Sequence, residues 1–154
     1  MKMRGFGLVV AFAAGVYAYP AVTAQTSGKR VIAPKNIPYL GLPYSPAVLV
    51  GNTLYLAGQL GRDPKTTELV PGGIEGQTRQ ALTNIREVLR EAGMDFGDVV
   101  NTTAYIVDFK EFEGFNKVYR EFFPKDPPAR ATVAVTALNQ GGRIELQMVA
   151  VKAR

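Results

Sequence analysis

The chain has 154 residues with 18 basic and 13 acidic side chains, a net charge of +5, and neither cysteine nor histidine. This length allows one domain at most, with enough chain to bury a core. The missing residue types exclude disulfides, Ser-His-Asp and Cys-His nucleophilic sites, and zinc sites built on Cys or His.

Residues 1–24 have the pattern of a secretory signal peptide. Lys2 and Arg4 make a positive start, Phe6 to Tyr17 an apolar run, and Val22-Thr23-Ala24 offers small residues for cleavage before Gln25. The competing reading is an uncleaved anchor, since Gly5 to Ala24 is uncharged and long enough to span a bilayer. Cleavage implies a periplasmic or secreted protein with no remaining membrane segment. Without Lys2 and Arg4 the 18 basic residues become 16, giving +3 against 13 acids. They are scattered, so no nucleic-acid partner is expected. Residues 25–31 are expected to be a flexible entry, and residues 32–154 the folded domain.

Pro34 to Pro46 holds four prolines and two tyrosines and is expected to be extended or turning. Ala47–Val50 and Leu54–Ala57 flank Gly51-Asn52, which predicts a hairpin. Gly58 then permits close approach by a ligand or another chain, or marks a bulge. Arg62 to Gly73 is expected to be a loop. Ala81, Leu82, Ile85, Val88, Leu89 and Ala92 share one face of a helix over 74–92, with Gly93 as its stop.

Asp98 to Val107 predicts a strand, and its apolar residues at both parities suggest burial on both faces. Asp108 and Glu111 have capping-box spacing. They open a second helix with Phe112, Phe115, Tyr119, Phe122 and Phe123 on its apolar face, ending at Pro124. Asn116, beside that stripe, reads as a solvated polar residue. After Pro127-Pro128 a strand starts at Arg130, with Arg130, Thr132, Ala134 and Thr136 on its more polar face. Arg130 is either a surface residue or a carboxylate-binding fork, and on this reading its removal leaves the fold intact. Leu138–Gly142 is a turn and Arg143–Val151 the last strand.

The order β-β-α-β-α-β-β implies an α+β sandwich with both helices on one face of the sheet. The other face needs a cover, and a second copy of the chain is the natural one. A last hairpin turning near Gln140 would set Arg130 opposite position 150 and Glu145 opposite 135. That offset of about five residues, on the order of 16 Å, is too great for one small substrate.

Several segments, taken in order, resemble the Rid (YjgF-like) family of reactive-intermediate enamine/imine deaminases. They are Pro43-Tyr44-Ser45, Gly51 to Gln59, Gln77 to Gly93, Asp98-Val99-Val100, Phe115 to Tyr119, Phe122-Phe123, Pro128-Ala129-Arg130 and Ile144-Glu145-Leu146. The resemblance covers about residues 32 to 152. It implies a chorismate-mutase-like fold, a homotrimer with ligand clefts between subunits, and hydrolysis of 2-imino or enamine acids to 2-keto acids and ammonia without cofactor or metal. Arg130 matches the arginine that grips the substrate carboxylate, and Glu145 the glutamate linked to the attacking water. Tyr44, Gly58 and Asn116 match pocket-lining positions, as does Thr132, where the family commonly has Cys. Pro46, Ala57 and Gln147 stand where the family's deaminases often have Gln, Ser and a second Glu, which bears on substrate range. The rival functions are a non-enzymatic trimer binding small carboxylates or a protein, and a ribonuclease, which the lack of histidine disfavours.

Overall fold

The computed structural model describes residues 28–35, 41 and 43–153. The expected leader, with its cleavage point, lies outside them. Among the described residues no helix is long and apolar enough to cross a membrane.

The strands are β1 (Arg30–Ile32), β2 (Ala47–Val50), β3 (Thr53–Leu56), β4 (Gln59–Leu60), β5 (Val99–Ile106), β6 (Ala129–Ala134) and β7 (Ile144–Val151). Two helices, α1 (Gly73–Glu91) and α2 (Phe112–Phe122), interrupt them. The sheet runs β1-β2-β3-β7-β5-β6, with β4 also pairing β7. Arg30 and Val31, expected in the entry segment, belong to edge strand β1 and pair with Leu49 and Val48.

The predicted hairpin is present as β2 and β3, with Val50 opposite Thr53. Alternation then buries Leu54 and Leu56 and exposes Tyr55. The α1 stripe also forms as expected, with Ala81, Leu82, Ile85, Val88 and Leu89 fully buried. Gly93 follows the helix at φ 70°. Its N–H donates to Arg90 C=O at 2.9 Å, and that of Met94 to Leu89 C=O at 2.9 Å. This is a Schellman stop that needs glycine's left-handed freedom. Buried side chains of both helices join Leu54, Leu56, Ala104, Ile106, Ile144, Leu146, Met148 and Ala150 in one core, so both helices cover one sheet face.

Three expectations change. First, β6 and β7 are not a hairpin. β6 runs parallel to β5, with Arg130 beside Thr102, and β7 runs antiparallel along the other side of β5, with Glu145 beside Tyr105. Beyond the ladders, Val135 N–H still donates to Ile106 C=O, and Val107 N–H to Arg143 C=O. A turn signal at Leu138–Gly142 specifies a reversal but not the neighbour. β5 buries Thr102, Ala104 and Ile106 completely and takes the interior place. β6, mostly Ala and Thr, takes the edge.

Second, among the described residues β5 is packed on one face only. Val99 joins Ala104 and Ile106 on the buried face despite its odd number because a bulge between Val99 and Asn101 shifts the alternation, leaving Val100 exposed, while Tyr105 stands on the other face. Third, Asp108 caps a short 3₁₀ turn, accepting from Lys110 N–H at 2.9 Å. Glu111 does not complete a box; it pairs with Arg143. A reciprocal capping box lies instead at Asp95 and Asp98.

Candidate functional site

The sequence-predicted residues fall into two groups, one on each face of the sheet. The first centres on Arg130. Strand alternation puts Arg130 on the same face as its neighbours Thr102 and Met148, the face that carries the helices. Its guanidinium carbon lies 4.7 Å from the Phe115 ring centroid, 4.5 Å from that of Tyr119 and 5.8 Å from that of Phe112. The face expected to be polar is thus the one turned toward the aromatic stripe of α2. An arginine is compatible with it because aromatic faces attract cations.

Arg130 Nη2 donates to Asn116 Oδ1 at 2.7 Å. Asn116 is 8% exposed, so the reading as a solvated residue fails. One helical turn on, Tyr119 Oη donates to Thr102 Oγ1 at 3.0 Å, and burial raises the Tyr119 hydroxyl above its usual range. Burial also lowers the Arg130 pKa, opposed by Tyr119 and reinforced by Arg120. A cavity of about 370 Å³ opens here, lined by Arg130, Asn116, Tyr119, Arg120, Phe123 and the proline pair. Fixed donors and an apolar wall suit the carboxylate and short side chain of a small acid.

The second group centres on Glu145. Glu145 and its neighbour Tyr105 share the face without helices. A Cβ placed on Gly58 would stand 1.8 Å from Glu145 Oε1. Gly58 lies where the chain leaves β3 and enters β4, both of which pair with β7. It therefore combines the break in the strand with close approach, and what approaches is a carboxylate. Burial raises the Glu145 pKa, partly offset by the positive charge of Arg62. Gly58, Tyr105, Leu138, Glu145 and Gln147 line a second cavity of about 280 Å³. A half-desolvated carboxylate facing a cavity can orient a water and accept its proton.

The groups do not meet within one chain. Thr102 and Tyr105, which mark the positions of Arg130 and Glu145, are three residues apart, roughly 10 Å along β5. The two flanking strands are roughly 9.6 Å apart, giving about 14 Å between backbone positions on opposite faces. The earlier conclusion survives with a different cause: face and crossover, not hairpin offset, separate Arg130 from Glu145.

Of the other predicted residues, Tyr44 is 53% exposed and lines neither cavity. Thr132 follows Arg130 on the helix-bearing face, beside Ala104, and also lines neither. Tyr105, Leu138 and Gln147 line the Glu145 cavity without having been expected there. Parity alone could have grouped Gln147 with Glu145; Tyr105 required the register. Buried Gln77 and Asn84 were also missed: Gln77 Oε1 accepts from Arg143 N–H at 2.8 Å, and Asn84 Nδ2 donates to Arg62 C=O at 2.9 Å. Among the described residues no cluster of three carboxylates is placed to hold a metal ion.

The family described as Endoribonuclease L-PSP matches residues 35–152. The chain belongs to this family, that of the Rid and YjgF proteins. Among Rid-family relatives, a goat (Capra hircus) protein named 2-iminobutanoate/2-iminopropanoate deaminase is 46% identical over 80% of this chain and 90% of its own length. Among solved structures, RidA from the Antarctic bacterium Psychrobacter sp. PAMC 21119 is 36% identical, with a TM-score of 0.76 over 80% of this chain and 99% of its own. E. coli TdcF with bound serine is 29% identical, with a TM-score of 0.76 over 80% and 99%. The Rid-family fold seen here is accordingly a mixed α+β fold with one sheet and two helices.

Proposed function

We propose that this protein is a hydrolytic deaminase converting 2-imino or enamine acids to 2-keto acids and ammonia, at sites completed between subunits of a homotrimer. The observation that carries the reading is the division of chemical parts. A carboxylate fork, Arg130 with Asn116, lies on one face. A desolvated carboxylate, Glu145 over Gly58, lies on the other. A second copy of the chain can bring one of each together. In support, relatives 46% and 44% identical carry the deaminase name, and a relative was solved with serine, an amino acid bearing the carboxylate that Arg130 would grip.

Arg130 holds the substrate carboxylate and so fixes the imine carbon. Glu145 accepts a proton from water as the water oxygen bonds to that carbon and the C=N π pair moves to nitrogen. Glu145 passes that proton to nitrogen, which gives a carbinolamine. The carboxylate then takes the carbinolamine O–H proton and delivers it to nitrogen as the C–N bond breaks and C=O forms, so that both water protons leave on ammonia. Burial makes Glu145 a stronger base than an ordinary glutamate. Polar backbone near Gly58 can assist charge development on nitrogen.

The face without helices supports the trimer. It carries exposed Val31 and Tyr55 in one row with Val48 and Val149, and, across the sheet, exposed Val133 beside Tyr105, apolar surface of the kind subunits bury. A chorismate-mutase-like assembly fits this sheet, and the leader supports an exported enzyme. The rival is a trimer that binds small carboxylates without turning them over. Ammonia release from an imino acid generated in situ by an amino-acid oxidase separates them. Acceleration over the enzyme-free rate supports the deaminase; tight keto-acid binding without acceleration supports the binding protein.

A further inference from the structure

Arg62 lies two residues beyond β4 with its backbone held on several sides. Its N–H donates to Leu60 C=O at 2.8 Å, its C=O accepts from Asn84 at 2.9 Å, and it bridges Leu69 across the loop. Its side-chain Nε and Nη2 are buried, and neither has an acceptor among the described residues. Buried polar groups in folded proteins are nearly always paired, and guanidinium donors are among the costliest to leave without a partner.

The anion at hand is Glu145. Leu60 is its register partner on β4, and the Arg62 charge acts on the Glu145 carboxyl against the effect of burial. The other groups placed around that carboxylate are the Tyr105 phenol from β5, the Gln147 amide from β7 and the Gly58 backbone. Arg62 is thus the cation in this set. Its two orphan donors do not touch Glu145 directly, since neither has a hydrogen-bond partner among the described residues, Glu145 included. A water is the group that accepts from a guanidinium while donating to a carboxylate.

We propose that Arg62 is a positioning residue for Glu145: through a bridging water its buried donors hold the carboxylate over Gly58 and anchor its negative charge. Arg62 acts through Glu145 and touches no substrate. The catalytic consequence rests on the deaminase reading; the coupling between the two side chains does not.

The test is the titration of Glu145, followed by NMR in protein carrying ¹³C-carboxyl glutamate and assigned by its loss in Glu145→Gln. Arg62→Met removes charge and donors, and should move the Glu145 midpoint to higher pH. Arg62→Lys keeps the charge and loses the fork, and should give a smaller upward move. The acid limb of the kcat/KM profile for 2-iminobutanoate should move with the midpoint, lowering the rate severalfold on that limb. Binding of 2-oxobutanoate, measured at a pH above the Glu145 midpoint of both proteins so that this carboxylate carries the same charge in each, should stay within about twofold, because Arg62 touches no ligand and lies outside the Arg130 cavity. A wild-type midpoint in folded Arg62→Met overturns the proposal. Should Arg62→Met fail to fold, a wild-type midpoint in Arg62→Lys overturns it equally. A shifted midpoint in a protein without imine hydrolysis would sink the deaminase reading and leave the coupling standing.

Discussion

The carboxylate of Glu145 fills the space that a side chain at residue 58 would need: a Cβ on Gly58 would lie 1.8 Å from Glu145 Oε1. Replacing Gly58 with Ala must therefore displace the carboxylate. The obstructing atom is the end of a flexible side chain, so the fold should tolerate the change. A misplacement of about 1 Å at a catalytic group can cost on the order of 100-fold in rate. Gly58→Ala should lose activity on that scale while melting within a few degrees of wild type. Steady-state kinetics and circular dichroism on one preparation check both.

Arg130 supports two effects, which two substitutions separate. Arg130→Lys keeps the charge and loses the planar fork. Arg130→Ala loses both. A charge-assisted contact is worth roughly 1.5–3 kcal/mol, or about one to two orders of magnitude in rate where it acts in the transition state. Both variants should fall into that range for 2-iminobutanoate hydrolysis. The aromatic seat on Phe115 and Tyr119 adds what the sequence reading denied: Arg130→Ala should also lower stability by about 1 kcal/mol, measured by urea unfolding.

Glu145→Gln should be inactive yet more stable at neutral pH. Burial raises the Glu145 pKa, so the native state holds this proton more tightly than the unfolded chain does. As pH rises, the unfolded state ionises first. Stability from this group is thus fully present below the unfolded pKa and is lost as pH rises through the folded one. Glutamine removes that loss. The melting temperature of Glu145→Gln should exceed wild type at pH 7, with the difference closing under acid conditions where both side chains are neutral. A wild-type advantage at pH 7 would contradict it.

Val133 is 47% exposed on the face without helices, so a charge there costs the single chain little. Val133→Asp should leave secondary structure intact, prevent assembly and abolish activity together. Light scattering should read a trimer for wild type and a monomer for the variant. An active monomer would remove the case for a shared site.

The leader makes a separate prediction. Protein recovered from the exported fraction should begin at Gln25 on N-terminal sequencing. Recovery of the full-length chain in soluble cytoplasm would refute export.

Local patterns in the sequence determined a good deal by themselves. The β2–β3 hairpin, the α1 stripe with its glycine stop and the α2 aromatic face were legible because each rests on contacts a few residues apart, where period and turn chemistry act directly. Arg130 and Gly58 stood out as candidates from local pattern, and motif resemblance, a matter of residue identity and order, gave them roles and added Glu145 and Asn116. Only the tertiary structure decided which strand lies beside which. The connection after β6 passes over β5, whose buried side chains claim the interior of the sheet. That crossover puts Arg130 on the aromatic face of α2 and Glu145 on the opposite face above Gly58. The Asn116 contact, the orphaned donors of Arg62 and the roles of Tyr105 and Leu138 follow from long-range pairing. They were illegible in the sequence because parity assigns a residue to one of two faces, while register and topology decide what that face meets.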